Sequence, residues 1–417
     1  MHPESSRDTD PPGRAPACAL VLQGGGALGA YQAGVFEGLS EAGIAPDWVA
    51  GISIGAVNAA LIAGNPPARR VERLREFWET VCRPAVPLPA LDAWQDLMLQ
   101  AAPSLRRWFN AGAATRAVAE GQSAFFTPRG PWPWLGLEQA PEEASFYDTT
   151  ALRRTLERLV DFDLVNDGPV RLSVGAVNVR SGNLRWFDNG PRAARGPRRL
   201  PPPGATVDGH RRTADEAIGH TRIGAAHIMA SGALPPAFAA VEIDGEHYWD
   251  GGIVSNTPLD HVLQETLRHD LVAFQVDLWS ARGPLPRHVY DAQERLKDIQ
   301  YSSRTRAATD GRAGDRQLRH LLHALLQQLP AGLQDSPLAH AARAEACAQR
   351  VSVIHLIYQD KAWEGYSKDY EFSPRTMRDH WQAGLDDIRD TLRHQDWHTL
   401  GRDAPAFATH DRLRTRG

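Results

Sequence analysis

The sequence has few cysteines, no long apolar run and little excess of either charge, and each shortage excludes a class of protein. Its 417 residues include only Cys18, Cys82 and Cys347, too few for a disulfide framework, which favours a reducing compartment. No apolar run reaches the roughly 18 residues that a membrane-spanning helix needs. The 46 basic and 50 acidic residues nearly balance, so no nucleic-acid partner is expected.

The N-terminal stretch is poor in apolar side chains as well. Residues 1–16 are polar and charged, without the apolar segment of a secretory signal, which predicts a flexible tail and a cytoplasmic protein. The length allows one large domain with an extension. We expect an α/β domain at residues 17–280, a mostly helical extension at 281–400, and a second tail at 401–417.

Glycine and proline are abundant, with 36 and 30 residues, and several glycines follow apolar runs. Cys18–Leu22 reads as a buried strand that ends near Gly24–Gly26, and a helical pattern follows. Trp48–Ala50 reads as a second strand that ends at Gly51–Gly55, and a second helix follows. This strand–helix–strand–helix order is typical of a parallel α/β sheet, whose ligand sites lie at the carboxyl ends of the strands.

The rest of the chain continues both patterns. Apolar runs predict strands at Val170–Val179, Leu184–Phe187, Leu271–Val276 and Val351–Tyr358. Helical periodicity is present at Val71–Val81, Ala151–Val160, Pro258–Leu267, Gln293–Ala308, Leu318–Leu329 and Pro374–Leu392. The stretch Gly190–His220 has neither period and is expected to be a surface loop.

The first glycine motif, Gly24-x-Gly26-x-x-Gly29, lies between a strand and a helix, as in dinucleotide-binding proteins. Their acidic residue at the end of the second strand is missing, because that strand ends at Ser53. A phosphate-binding loop is excluded too, since no Lys-Ser or Lys-Thr follows Gly29. The alternative is structural: the glycines let the helix pack closely on the strand.

The second motif, Gly51-x-Ser53-x-Gly55, has the pattern of a nucleophile elbow, a strained turn that exposes a serine hydroxyl at a helix N-terminus. The pattern alone is weak, but its place between an apolar strand and a small-residue helix strengthens it. An ordinary α/β-hydrolase is excluded, because its elbow follows several strands and this one follows the second.

The third motif is Asp250-Gly251-Gly252, at the end of a predicted hairpin whose tip is Asp244-Gly245. Asp250 is expected on one face of its strand and His247 on the other, so His247 is poorly placed to act through Asp250. As an alternative, an aspartate before two glycines is often only a turn former.

In this order the three motifs resemble the patatin-like phospholipase family, and the likeness covers roughly residues 17–280. The segment Ala230–Phe238 also resembles the one before that family's aspartate, and Lys361–Phe372 resembles the C-terminal extension of a bacterial subgroup. The resemblance implies a three-layer α/β/α fold with a mainly parallel sheet. Many members carry Arg or Lys just before the last glycine of the first motif, where this chain has Leu28.

The resemblance also implies a serine–aspartate dyad, with Ser53 as nucleophile and Asp250 as general base. Backbone N–H groups of Gly24, Gly25 and Gly26 would form the oxyanion hole, with Gly29, Gly51, Gly55, Gly251 and Gly252 supporting the turns. The expected reaction is hydrolysis of fatty-acyl esters in lipid degradation, without metal or cofactor. Partial burial would have to raise the pKa of the aspartate for it to act as a base.

Three questions stay open from the sequence. The aromatic stretch Trp94–Trp134 fits either a cap over an acyl pocket, in contact with a membrane interface, or a small subdomain that buries its own rings. A catalytically weak binding or scaffold protein with the same fold is the alternative to an enzyme, and a nucleotide-binding protein ranks third. The lipid head group, chain length and oligomeric state are not predicted.

Overall fold

The computed structural model describes residues 16–83, 103–122, 124–190, 221–264, 269–302, 305–361, 363–394 and 405–411. The tail predicted at residues 1–16 and the loop predicted at 190–220 lie almost entirely outside these ranges. Within them, no helix is both long enough and apolar enough to cross a membrane.

Nine strands of the described residues form one sheet, in the order β11-β10-β9-β1-β2-β5-β8-β7, with β6 paired to β5. Neighbours from β11 to β5 are parallel, and β6, β7 and β8 are antiparallel. These strands are β1 Ala17–Leu22, β2 Trp48–Gly51, β5 Arg171–Asn178, β6 Leu184–Asp188, β7 Val241–Ile243, β8 Glu246–Asp250, β9 Leu271–Asp277, β10 Val351–Ile357 and β11 Phe407–His410. A separate two-stranded sheet pairs β3 Thr127–Pro128 with β4 Tyr147–Asp148.

Helices connect the strands. They are α1 Ala30–Glu41, α2 Ile54–Ala63, α3 Arg70–Val81, α4 Pro103–Glu120, α5 Thr150–Leu159, α6 Phe162–Asp167, α7 Ala225–Ser231, α8 Leu259–Gln264, α9 Val289–Tyr301, α10 Thr305–Gln327, α11 Ala331–Gln334, α12 Pro337–Glu345 and α13 Pro374–Arg393. As the sequence predicts, α13 begins after Ser373, whose hydroxyl accepts a hydrogen bond from the N–H of Thr376.

Both faces of the sheet are covered. Along β1, Leu20 and Leu22 pack into a large core that includes residues of α1, α2 and α3. Ala19 and Val21 point the other way, into a smaller core with residues of α8. The arrangement confirms the predicted layered α/β fold with a mainly parallel sheet.

The region after residue 280 is built into this fold. Strands β10 and β11 extend the sheet beyond β9, and α13 packs on α1, where the hydroxyl of Tyr31 donates to Asp387 at 2.8 Å. Side chains on Gly34 and Gly384 would each collide with the backbone of the other helix. The domain boundary near residue 280 stays a prediction, but the sheet continues across it, and Phe407–His410 within the predicted second tail is a strand.

One predicted helix is wrong. The pattern at 293–308 indicated a single helix, whereas α9 ends at Tyr301 and α10 begins at Thr305. Ser302 has the extended backbone angles φ −60° and ψ 136°, which a continuing helix does not allow. Helical periodicity therefore identified both pieces but not the break between them.

Candidate active site

Ser53 lies immediately beyond the carboxyl end of β2, on the turn into α2. Its φ of +56° and ψ of −124° are unusual for a residue with a side chain, as expected of a nucleophile elbow. Neither flanking position has room for a side chain. A Cβ on Gly51 would collide with Gly55, and a Cβ on Gly55 would collide with the carbonyl of Leu22. The turn therefore presents a partly exposed serine at the edge where the parallel strands end.

The glycine loop after β1 lies beside this serine. The two strands are in register, with Leu22 opposite Gly51, and the N–H of Ile52 donates to the carbonyl of Leu22 at 3.2 Å. A Cβ placed on Gly24 would be only 3.1 Å from the Cβ of Ser53. The first two glycine motifs, separated by more than 20 residues in sequence, thus form one surface.

Asp250 ends β8 and completes the group. It is only 3% exposed, and its Oδ1 accepts a 2.7 Å bond from the N–H of Gly252. Burial raises the pKa of Asp250 to about 6, while the nearby hydroxyl of Ser53 and the N–H of Gly252 act to lower the pKa. A raised pKa of this kind is what the predicted role of Asp250 as a base requires.

His247 does not reach this group. It lies three residues before Asp250 on β8, and its ring contacts Glu142. The hairpin tip is as predicted, with Asp244 and Gly245 both at positive φ.

The three glycines proposed as oxyanion donors are not equivalent. The N–H of Gly24 already donates to the carbonyl of Asn256 at 3.3 Å. No hydrogen bond from the N–H groups of Gly25 or Gly26 to another described residue is present. Gly26 has a φ of +55°, in the left-handed region that favours glycine. The geometry therefore favours Gly25 and Gly26 as donors, with Gly24 as part of the loop's support.

The supporting glycines lie where a side chain has little room. A Cβ on Gly29 would lie 2.6 Å from Ile54, and one on Gly251 the same distance from the carbonyl of Gly175. At Gly252 it would lie 2.8 Å from Asn256. Leu28, just before Gly29, is fully buried and packs in the large core.

Ser231 is a part of the site that sequence reasoning missed. Its hydroxyl accepts a 2.9 Å bond from the N–H of Ser53 and donates a 2.7 Å bond to the carbonyl of Gly175. Two residues on, the carbonyl of Ala233 accepts the N–H of Asp250 at 3.0 Å. The segment from Ala230, noted only for its resemblance, thus connects the serine turn to the aspartate strand.

A buried polar network holds the glycine loop from behind and was also missed. The side-chain amide of Asn256 donates to the carbonyls of Gly24 and Tyr301, at 3.0 and 2.9 Å. The indole of Trp279 donates to the same Gly24 carbonyl at 2.8 Å, and the Oε1 of Gln23 accepts the N–H of Trp279 at 3.0 Å. An isolated Asn or Gln gives no sequence signal, so only the structure reveals this support.

The aromatic stretch divides into two parts. Phe125 and Phe126 pack against Phe238 and Phe372 with ring centroids 5.5 to 6.3 Å apart, as part of the core. Trp108 on α4 is instead 82% exposed. Trp94 lies outside the described residues. The core part fits the subdomain interpretation, whereas the exposed tryptophan leaves a membrane contact open.

Among the described residues, one trio offers clustered metal ligands: Glu142, Glu242 and His247. It lies on the outer side of the hairpin, largely exposed, and includes neither Ser53 nor Asp250.

Comparisons with known proteins agree with these motifs. A family model described as patatin-like phospholipase matches residues 20–263, and one described as patatin phospholipase matches residues 299–403. Patatin-like phospholipase domain-containing protein 6 of Homo sapiens and of Mus musculus is 45% identical over 60 residues. The patatin-like protein M110.7 of Caenorhabditis elegans is 42% identical over 62 residues.

Those matches span 14% and 15% of this chain but only 4% and 6% of the curated relatives' length. The crystal structure of VipD from Legionella pneumophila matches with a TM-score of 0.34 and 14% identity, over 91% of this chain and 67% of that one. So loose a likeness supports no argument about fold or function. The first family model covers more than half of the sequence, and the chain therefore belongs to the patatin-like phospholipase family.

Proposed function

We propose that the chain is a lipid acyl hydrolase in which Ser53 is the nucleophile and Asp250 the general base. The observation that carries the proposal is the pairing of a serine on a positive-φ turn with a buried carboxylate whose pKa is raised to about 6. A carboxylate of that pKa is largely ionised at neutral pH yet more basic than an exposed one. Family membership supports a fatty-acyl ester as substrate.

The reaction would proceed in two steps. Asp250 takes the proton from Ser53 while Oγ of Ser53 attacks the ester carbonyl, and the N–H groups of Gly25 and Gly26 donate to the developing oxyanion. The ester C–O bond then breaks, protonated Asp250 gives its proton to the departing alcohol oxygen, and the acyl group remains on Ser53. A water molecule, deprotonated by Asp250, attacks the acyl group and releases the fatty acid while Ser53 regains its proton.

A lipid surface is the expected place of this reaction, as a peripheral contact. Ile253 and Val254 follow the Asp250 turn directly, and both are about half exposed, at 45% and 54%. Apolar side chains beside a catalytic group are suited to contact an aggregated lipid substrate. Substrates of the phospholipid, lysophospholipid and simple carboxylic ester types all share the acyl ester that the site would attack.

A fluorophosphonate probe and p-nitrophenyl esters test the proposal together. We expect the wild-type protein to hydrolyse the esters and to carry one phosphonate adduct, which mass spectrometry places on the peptide with Ser53. Ser53→Ala should lose both properties and keep its circular dichroism spectrum. Hydrolysis that survives Ser53→Ala would reject the dyad. A wild-type protein that binds lipid vesicles but hydrolyses neither p-nitrophenyl esters nor phospholipids would favour the binding or scaffold alternative.

A further inference from the structure

The C-terminal segment, defined here as Trp363–Phe372, lies directly against the glycine loop. The carbonyl oxygen of Asp369 accepts a 2.8 Å hydrogen bond from the N–H of Ala27. A side chain on Gly26 would collide with that same oxygen. This contact fixes the backbone immediately after Gly25 and Gly26, the two glycines whose N–H groups face no described acceptor.

Lys368 holds Asp369 in place. Its side chain is 1% exposed, and its ammonium group lies 2.7 Å from Oδ1 of Asp298 and 2.7 Å from Oδ1 of Asp360. Burial alone would lower the pKa of Lys368, but the two carboxylates raise it, so the side chain stays charged. Because Asp298 belongs to α9, the lysine connects the C-terminal segment to that helix.

The same ammonium group reaches the other end of the loop. It lies 5.2 Å from the ring centroid of Trp279, within the range of a cation–π contact. The indole N–H of Trp279 donates to the carbonyl of Gly24. A second cation, Lys297 of α9, pairs with the carboxylate of Asp369 at 2.8 Å. Two lysines that follow residue 280 therefore support the glycine loop, Lys368 through Trp279 and Lys297 through Asp369.

We propose that Lys368 is a positioning residue for the glycine loop after β1, which holds the proposed oxyanion donors. Through the Asp369 carbonyl and the Trp279 indole it keeps the N–H groups of Gly25 and Gly26 directed at the ester carbonyl. The inference rests on the proposed acyl hydrolase activity and adds a role for the C-terminal region in it.

Three variants test this role. Lys368→Met removes the cation that the buried Asp298 and the more exposed Asp360 share, a charge imbalance that by itself can destabilise the fold. The second variant, Lys368→Met with Asp298→Asn and Asp360→Asn, removes that imbalance. The control is Arg389→Met, because Arg389 also ties the C-terminal region to the rest of the molecule, through Glu41 of α1, but does not approach the glycine loop.

We expect the triple variant to lose up to roughly 100-fold in kcat on p-nitrophenyl esters with KM nearly unchanged, the loss that a misplacement of about 1 Å in a reactive site can cause. The inhibition constant of a boronic acid, which forms a tetrahedral adduct on Ser53, should rise by the same factor. Amide hydrogen exchange of the peptide with residues 24–29 should speed up. Arg389→Met should match the wild type in all three measurements.

A folded triple variant with wild-type kcat, boronic acid affinity and exchange would overturn the inference. Failure of the proposed function looks different: the wild type would then lack esterase activity, or Ser53→Ala would retain it. Hydrogen exchange at residues 24–29 needs no activity, so unchanged exchange in the triple variant would reject the role of Lys368 in that case too.

Discussion

A serine and an aspartate meet in two regions of this molecule, and the two pairs differ in how fully their groups are satisfied. At the carboxyl edge of the sheet, Ser53 lies against Asp250. Beneath α8, Ser173 donates to Asp188 at 2.5 Å, and the ring of His261 lies 3.3 Å from both. The second region even has the three residue types of a serine protease triad.

The two aspartates differ in the number of hydrogen-bond donors that surround them. Asp188 accepts bidentate hydrogen bonds from Arg171 and another from the N–H of Gly190. Burial alone would raise its pKa, but the bonds from His261, Arg171 and Ser173 hold it well below its usual range. Asp250 has fewer hydrogen-bond donors around it, so the effect of burial is the larger one and its pKa is raised. The lesson is that a buried aspartate becomes a base where its hydrogen bonds are too few to offset its desolvation.

Activity should show the largest contrast. We expect Asp250→Asn to lower kcat on p-nitrophenyl esters by at least roughly 10³-fold, since the amide cannot accept the proton of Ser53. Ser173→Ala, the matched change in the other region, should stay within about threefold of the wild type. Steady-state kinetics measure both values on variants whose circular dichroism shows that they are folded. Equal losses of kcat in both variants would contradict the assignment of catalysis to Ser53 and Asp250.

Stability should move in opposite directions for the two aspartates. At pH 7 we expect Asp188→Asn to lower the free energy of unfolding by roughly 3–5 kcal/mol, because Arg171 is left without its buried counterion. Asp250→Asn should raise the free energy of unfolding by up to roughly 3 kcal/mol, because burial raises the pKa of Asp250 to about 6 and the ionised carboxylate therefore opposes folding at pH 7. Urea unfolding measures both, and a loss of stability in Asp250→Asn would contradict the assigned environment.

Local sequence patterns point to the first region, and none points to the second. Glycine spacing and apolar runs locate Ser53 and Asp250, because a strained turn and a strand end each leave a local pattern. Ser173 and Asp188 lie on adjacent strands, but nothing local shows that His261 covers them. The same limit hid Ser231, whose hydrogen bond to Ser53 spans 178 residues. Partnership between distant polar groups is set by packing, which one sequence does not reveal.

Ser231 offers a smaller test of the catalytic region. Ser231→Ala removes the acceptor of the Ser53 N–H and leaves that group and the carbonyl of Gly175 without their hydroxyl partner. We expect kcat to fall roughly 10- to 100-fold with KM little changed, because the nucleophile loses its orientation. Thr391→Val is the control, since it deletes a buried hydroxyl of α13 that bonds only within its helix. An undiminished kcat in Ser231→Ala would limit Ser231 to packing.

The pH dependence gives the finest contrast between the two aspartates. In the proposed mechanism Asp250 must be ionised to act as a base, so kcat/KM for a short soluble ester should fall as the pH drops through about 6, to roughly one tenth of its plateau at pH 5. The free energy of unfolding should change oppositely: protonated Asp250 favours the folded state, so its contribution to stability is lost as pH rises from about 4 through 6. Asp188 stays ionised throughout this range, and Ser173→Ala should therefore keep the wild-type midpoint of activity. A midpoint near pH 4 would mean that Asp250 is not desolvated in solution, and the distinction between the two regions would then rest on geometry alone.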